Sequence, residues 1–471
     1  HKSVARRQVG EDEPQGLRSP HGRSIDVNGE KVAIVGAGPC GLAAAKTLGE
    51  FGIAYECLEA SKDVGGIWNI ERGIGGGYRS LNTNTSTGGM CYSDFPFPAD
   101  HPTYATAEQM VRYFESYVEE FGLAEHIRLG KRVAQARPLP NGGWTLRFKD
   151  GETQNYRALL AATGQYNDPR RPHDLIPGTF NGGHLHVFDY LDAATPVDCR
   201  DKRVVVVGLG SSAAEVAAEL CDKGATAGFA SQVILSARSG RWVLPKIIDG
   251  ESLDAKSLHP ATPLPAAARL LPGDSGSWGM RRILGKVLRA QSEKHGGATA
   301  LGLPEPTIDP WEDRPTMSID FIPALQAGRI DVRPGIRSFD GSTVHFEDGS
   351  QAEADVILYG TGYQLKFPYL DKETLGGNAP DLALYQHVAH PDYDDLFFVG
   401  CLRAMCSMWP VAEQQSRWIA RLLSGAFELP SRDIRSREAV GLAKALPIMC
   451  NFYVEKLRKE AGSLSREAPR A

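Results

Sequence analysis

Two glycine clusters hold the residues whose spacing could do chemistry. Gly36-Ala-Gly38-Pro39-Cys40-Gly41 follows the apolar run Lys31–Val35 and opens onto the small-residue stretch Leu42–Leu48. Gly208-Leu-Gly210-Ser211-Ser212-Ala213 follows Val204–Val207 and opens onto Ala214–Leu220. A strand, a GxGxxG or GxGxxA turn and a helix together bind the pyrophosphate of a dinucleotide. The first glycine closes the turn, the second lets phosphate reach the backbone, and the third lets helix pack on strand. Free N–H groups at the helix N-terminus then face the anion.

The residues after each turn separate the two sites. Ala54–Leu58 reads as the next strand and ends at Glu59, an acid placed to hydrogen-bond an adenosine ribose. Gly65, Gly66 and Trp68 follow, and the glycine pair suggests a second backbone approach to the same nucleotide. In the second unit the strand Gln232–Ser236 ends near Arg238, which suits a 2′-phosphate, with Arg241 and Lys246 as added charge. One nucleotide that delivers hydride and one flavin that accepts it is the chemistry implied. The first site reads as FAD and the second as NADPH.

Between the clusters stands Phe180-Asn-Gly182-Gly-His184-Leu-His186-Val-Phe-Asp-Tyr190, an FxGxxxHxxxY pattern. It resembles the signature of the flavin-containing monooxygenases, the class B flavoprotein monooxygenases. Ala162-Thr163-Gly164-Gln-Tyr166 and Asp355–Tyr363, ending in Thr361-Gly362-Tyr363, resemble that family's paired strand ends. Leu81-Asn82-Thr83-Asn84-Thr-Ser86 and Met90–Pro98 resemble its flavin-pocket loop, and Leu396–Gly400 and Pro410–Trp418 its C-terminal motifs. The resemblance adds Asn82, Thr83, Thr163, Gly164, Thr361, Gly362, Tyr363, Pro410 and Glu413 to the cofactor-binding candidates. It makes Asn84 the catalytic candidate, an amide that donates and accepts without changing charge. It gives Pro410 a helix start that aims N–H groups at the flavin ring. His184 and His186 are read as parts of a structural connector.

The implied reaction is NADPH- and O2-dependent insertion of one oxygen atom into a soft nitrogen or sulfur nucleophile by way of a flavin hydroperoxide. The expected partners are a small amine or sulfide, O2 and a second copy in a homodimer. The chain departs from the family at Thr87-Gly88, where Lys-Glu is common. Tyr190-Leu191 closes the signature, whereas the Baeyer–Villiger enzymes carry tryptophan there; ketone oxygenation is therefore the alternative reading. A flavin disulfide reductase is a more distant one, resting on the CxxxxC spacing of Cys401 and Cys406.

These residues require a particular scaffold: an α/β fold with two Rossmann-like dinucleotide-binding domains, the FAD domain interrupted by an inserted NADPH domain. The expected boundaries are a disordered tail over 1–29, FAD domain over 30–170, NADPH domain over 171–334 with a cover at 250–315, and the rest of the FAD domain with C-terminal helices over 335–471. Helices are expected at Ala107–Phe121 and Met280–Lys294, and hairpin turns at Asn141–Gly143 and Asp150-Gly151. Glycine is abundant, 51 of 471 residues against an average usage of roughly 7%. The net charge of −5 gives no basic field for nucleic acid. No apolar run is long enough to span a bilayer, so a soluble chain is expected. The eight cysteines form no CxxC and no metal-ligand spacing, which suggests a reducing cytoplasm and no metal.

Overall fold

The computed structural model describes residues 30–255, 257–264, 273–442 and 446–462. The tail expected over 1–29 and the 265–272 part of the expected cover lie outside the described residues.

Two five-stranded sheets, each parallel throughout, organise the chain. The first runs Leu396–Phe398, Ala158–Ala161, Val32–Val35, Tyr55–Leu58, Ile127–Arg128. Val32 stands opposite Tyr55 on one side and Ala158 on the other. Every residue of the three inner strands is buried, and Val32–Val35 and Ala158–Ala161 are the unbroken apolar runs that covering both faces requires; within Tyr55–Leu58 the buried Glu56 carboxylate accepts from the Tyr156 hydroxyl. Helices Pro39–Glu50 and Met408–Leu423 pack on the Val32 and Ile34 side. On the Ala33 and Val35 side lies an antiparallel sheet that contributes Trp144, Leu146 and Phe148. Its strands, Val133–Pro138, Trp144–Phe148 and Thr153–Tyr156, are joined at the two expected glycine turns.

The second sheet repeats the plan: Gly183–His186, Val356–Tyr359, Arg203–Val207, Gln232–Ser236, Asp331–Arg333. Helix Ser211–Leu220 packs against Val204 and Val206. Phe339, Val344 and Phe346 of a small antiparallel sheet pack against Val205, Ile234 and Ile357. The chain thus leaves the first sheet after Ala161 and returns to it at Leu396–Phe398. Val356–Tyr359 hydrogen-bonds between two strands of the second sheet, so the boundary expected at 335 falls ahead of it.

Helix Ala107–Glu120 starts on a capping box of Thr106 and Gln109. The expected Met280–Lys294 helix begins earlier, at Gly273. Among the described residues, no helix is long and apolar enough to cross a membrane.

Candidate active site

The first glycine turn owes its shape to contacts that a side chain would block. Gly36 has φ +110°, and a Cβ there would lie 2.7 Å from the Ala162 carbonyl oxygen. A Cβ on Gly41 would lie 1.8 Å from the Gly36 carbonyl oxygen. Gly38 and Gly66 approach backbone to backbone: a Cβ on Gly66 would stand 3.1 Å from the Gly38 Cα. The Gly65 amide donates to the Ala37 carbonyl at 3.0 Å and fixes that approach.

Glu59 is buried beside the turn. Its carboxylate accepts from the Ala37 amide and from the Ser61 amide and hydroxyl, each at 2.8 Å. A carboxylate has about four acceptor positions, so one remains for a ribose hydroxyl.

A cavity of about 370 Å³ runs from this turn. Of the residues expected at the first nucleotide, Gly36, Gly38, Pro39, Cys40, Glu59, Gly66, Trp68, Thr163 and Gly164 line it. Lys131 and Arg132 border it, as do Met408 and Trp409 at the start of helix Met408–Leu423. Gly41 and Gly65 support the turn from behind. Burial pushes the Cys40 thiol up to about 12, so it packs and does not act as a nucleophile.

The dimensions and groups fit an adenine dinucleotide: a backbone cradle that a Cβ would fill, an acid for the ribose and a helix N-terminus opposite. The second turn has the same form. Gly208 has φ +120°, and a Cβ on it would meet the Gly360 carbonyl oxygen at 2.5 Å. Gly210 caps helix Ser211–Leu220, whose first turn holds Ser211 and Ser212. Arg238 is exposed and makes no ion pair among the described residues.

Several expected residues are engaged elsewhere. Lys246 is no phosphate ligand: it is buried, donates to Glu215 at 2.8 Å and also holds the Asn82 side-chain oxygen. A buried ammonium needs such partners, and Glu215 takes it away from the second turn. Asn82 accordingly ties the pocket loop to Lys246 and does not line the cavity. Thr83 is bonded through its amide and hydroxyl to Ala105.

Glu413 is fully buried and accepts from the Ser93 amide at 2.9 Å and from Arg417 at 3.1 Å, so its carboxylate points into the protein and away from the cavity. Pro410 is buried one residue beyond Trp409. Thr361, Gly362 and Tyr363 join the two sheets: Thr361 donates to the Arg170 carbonyl at 2.6 Å, and Tyr363 pairs with Pro169.

Asn84 lies outside the cavity lining. It is exposed at a bend between anchored neighbours, and its amide makes no hydrogen bond among the described residues. Ser86 fixes the bend by donating from its amide and hydroxyl to Asp254 at 2.9 and 2.8 Å. Gly89 permits this, since a Cβ there would lie 2.6 Å from Asp254 Oδ2. His186 accepts from the Phe188 amide at 3.0 Å, and burial depresses its pKa to about 4, leaving it neutral near pH 7.

Sequence reasoning missed three features. Arg314 lines the cavity together with Tyr166. Gln165 donates to the Gly400 and Leu402 carbonyls at 2.7 and 2.9 Å, tying the two parts of the first sheet's loop system. Cys406 is in a disulfide with Cys450, 44 residues away, while Cys401 is free. The CxxxxC pair of a disulfide reductase is therefore not formed. Among the described residues, no group of three His, Cys, Asp or Glu is placed to hold a metal.

Two dinucleotide-binding turns, the first of them lining the cavity, define a two-dinucleotide oxidoreductase. The chain belongs to the flavin-binding monooxygenase-like family, whose pattern matches residues 29–449. It is an FAD-containing, NADPH-dependent monooxygenase. It is similar to flavin-containing monooxygenase 5 of Rattus norvegicus, 29% identical over 447 residues that span 91% of this chain and 79% of that protein. It is also similar to the N-oxide-forming dimethylaniline monooxygenase 4 of the same species, at 31% over 428 residues, 87% and 72% of the two chains. The fold matches S-allyl-L-cysteine S-oxygenase from Allium sativum with TM-score 0.63 at 22% identity, covering 93% of this chain and 90% of that one. It matches a steroid monooxygenase bound to NADP with TM-score 0.68 at 19% identity, covering 92% and 97%.

Proposed function

We propose that this monooxygenase transfers one oxygen atom from O2 to a soft nitrogen or sulfur nucleophile, with NADPH as reductant. The observation that carries this reading is the wall of the cavity beyond the glycine turn. Trp68, Phe188, Met408 and Trp409 supply apolar surface there. Cys40, which lines the same cavity, is held as the neutral thiol.

FAD, when bound, supplies the activation of O2 by NADPH-derived electrons. What the chain supplies is position and dryness. Gly36, Gly38 and Gly66 seat the phosphates, and Glu59 fixes the ribose. The first turn of helix Met408–Leu423 presents N–H groups where negative charge gathers. The apolar wall excludes water, which strengthens each of these contacts. On its match to the family's flavin-pocket loop, and with its amide uncommitted at an exposed bend beyond the cavity lining, Asn84 is the group we assign to hydrogen-bonding the bound flavin.

Arg314 favours a second reading, Baeyer–Villiger oxygenation of a ketone, because a guanidinium in the cavity stabilises oxyanion charge that develops on a carbonyl substrate. One screen separates the two. The FAD-loaded protein is incubated with NADPH and panels of amines, sulfides and ketones, and products 16 Da heavier are sought by mass spectrometry. N-oxides or sulfoxides are expected. Esters or lactones alone would move the assignment to the ketone reading.

Asn84→Ala is expected to keep full flavin content while raising hydrogen peroxide formed per NADPH severalfold, measured in a peroxidase-coupled assay. Unchanged coupling removes Asn84 from the reaction.

A further inference from the structure

Asp313 stands where the two nucleotide units meet. Its carboxylate pairs directly with Arg241 of the second unit and accepts from Arg403 of the first at 2.7 Å. It also accepts the Arg314 amide at 2.9 Å. Burial raises the Asp313 carboxyl, but hydrogen bonding and charge from Arg241, with the charge of Arg403, outweigh it and hold the group below the usual carboxylate range.

The position of Arg241 is the informative one. Its Nη1 lies 3.5 Å from where a Cβ on Gly210 would stand. Gly210 is the residue whose bare backbone lets a pyrophosphate approach the turn. The guanidinium already occupies that approach. Its backbone is fixed on both sides: Gly240 bridges to Pro306, Trp242 Nε1 donates to the Ile308 carbonyl at 2.7 Å, and the Thr316 amide donates to the Trp242 carbonyl at 2.8 Å. The side chains of Arg241, Asp313 and Arg403 remain 33%, 25% and 33% exposed, so an incoming anion can reach them.

We propose that Asp313 stands in for the dinucleotide pyrophosphate. It holds Arg241 over the second turn, is displaced from Arg241 when the phosphates arrive, and then pairs with Arg403 alone. This rests on the reading of the second turn as the NADPH site and adds a division of labour. Arg241 serves the pyrophosphate common to NADPH and NADH, while Arg238 serves the 2′-phosphate. Arg403, on the flavin side, already shares Asp313 with Arg241 and becomes its sole guanidinium partner when the nucleotide is seated, which couples the two units electrostatically.

Calorimetric titration of the FAD-loaded protein with NADP⁺ and with NAD⁺ tests this without turnover. Arg241→Ala is expected to weaken both by a similar factor, roughly tenfold or more, as loss of a charge-assisted phosphate contact. Arg238→Ala is expected to weaken NADP⁺ alone. Asp313→Asn, which removes the competitor, is expected to tighten both, about threefold to tenfold, and to have no effect when Arg241 is already alanine. Arg403→Gln, which leaves Asp313 wholly to Arg241, is expected to weaken both and serves if Asp313→Asn melts early.

An Arg241→Ala effect confined to NADP⁺, or absent, overturns the proposal. So does Asp313→Asn binding that is unchanged or weaker in a protein with wild-type melting, or, should that variant melt early, Arg403→Gln binding that is unchanged or tighter. A wild-type protein that binds neither dinucleotide would instead defeat the NADPH reading itself.

Discussion

Gly41→Ala is expected to yield protein that purifies without flavin colour. The new Cβ would sit 1.8 Å from the Gly36 carbonyl oxygen and 3.6 Å from the Ala162 side chain. The Gly36 carbonyl is the clash, the Ala162 separation being ordinary contact, and both are fixed. The Gly36 carbonyl belongs to a turn at φ +110°, and Ala162 follows a strand paired with Val32–Val35. No side-chain rotation relieves the contact, so helix Pro39–Glu50 must lift away from the sheet. That helix packs heavily against Met408–Leu423, whose first residues border the same cavity. Overpacking of this kind costs roughly 3 kcal/mol, about a hundredfold in affinity if the cost falls on the bound state.

Flavin absorbance per protein measures the loss. NADP⁺ titration of the same variant checks that the second unit still folds. Gly88→Ala is the control, since no atom lies within 4 Å of its Cβ position. Wild-type flavin content in Gly41→Ala would show that the turn does not set the cofactor's place.

The contrast between these two glycines shows what was legible in the sequence. The glycine turns were readable because their requirements are local: a strand, a turn that tolerates no Cβ and a helix, all within Val32–Glu50 or Arg203–Leu220. Glu59 was readable for the same reason, as an acid at a strand end. The parallel sheets followed from unbroken apolar runs such as Val204–Val207.

What lay hidden depends on pairs brought together from far apart. Lys246 looked like free positive charge because Glu215 and Asn82 are 31 and 164 residues away. The Arg241–Asp313–Arg403 cluster and the Cys406–Cys450 disulfide likewise leave no local trace. Motif similarity located Asn84 and Glu413 equally well. It did not distinguish an amide left open at an exposed bend from a carboxylate turned inward. That difference is set by which partners reach each group, and side-chain geometry alone supplies it.

The inward turn of Glu413 leads to the second large effect. Glu413 and Arg417 of helix Met408–Leu423 share a buried ionic cluster with Lys46 and Glu50 of helix Pro39–Glu50 and with Asp94 of the pocket loop. Arg417 reaches Glu413 at 3.1 Å and Glu50 at 3.3 Å, and Lys46 reaches Glu50 at 2.8 Å. The side chains of Lys46, Glu413 and Arg417 are 1%, 0% and 5% exposed, so water cannot replace a lost partner.

Glu413→Ala removes one carboxylate from Arg417 and leaves the Ser93 amide without its acceptor. Breaking one partner out of a buried pair costs about 3 to 5 kcal/mol. Glu413→Gln keeps an acceptor for Ser93 and should lose less. The decisive comparison is thermal unfolding with and without FAD. An architectural carboxylate lowers the melting midpoint of both forms and leaves NADP⁺ affinity untouched. A carboxylate that touched the flavin would lower only the FAD-loaded midpoint. We expect the first pattern, with weakened FAD binding as a consequence, because the cluster joins the two helices whose N-terminal turns border the flavin cavity.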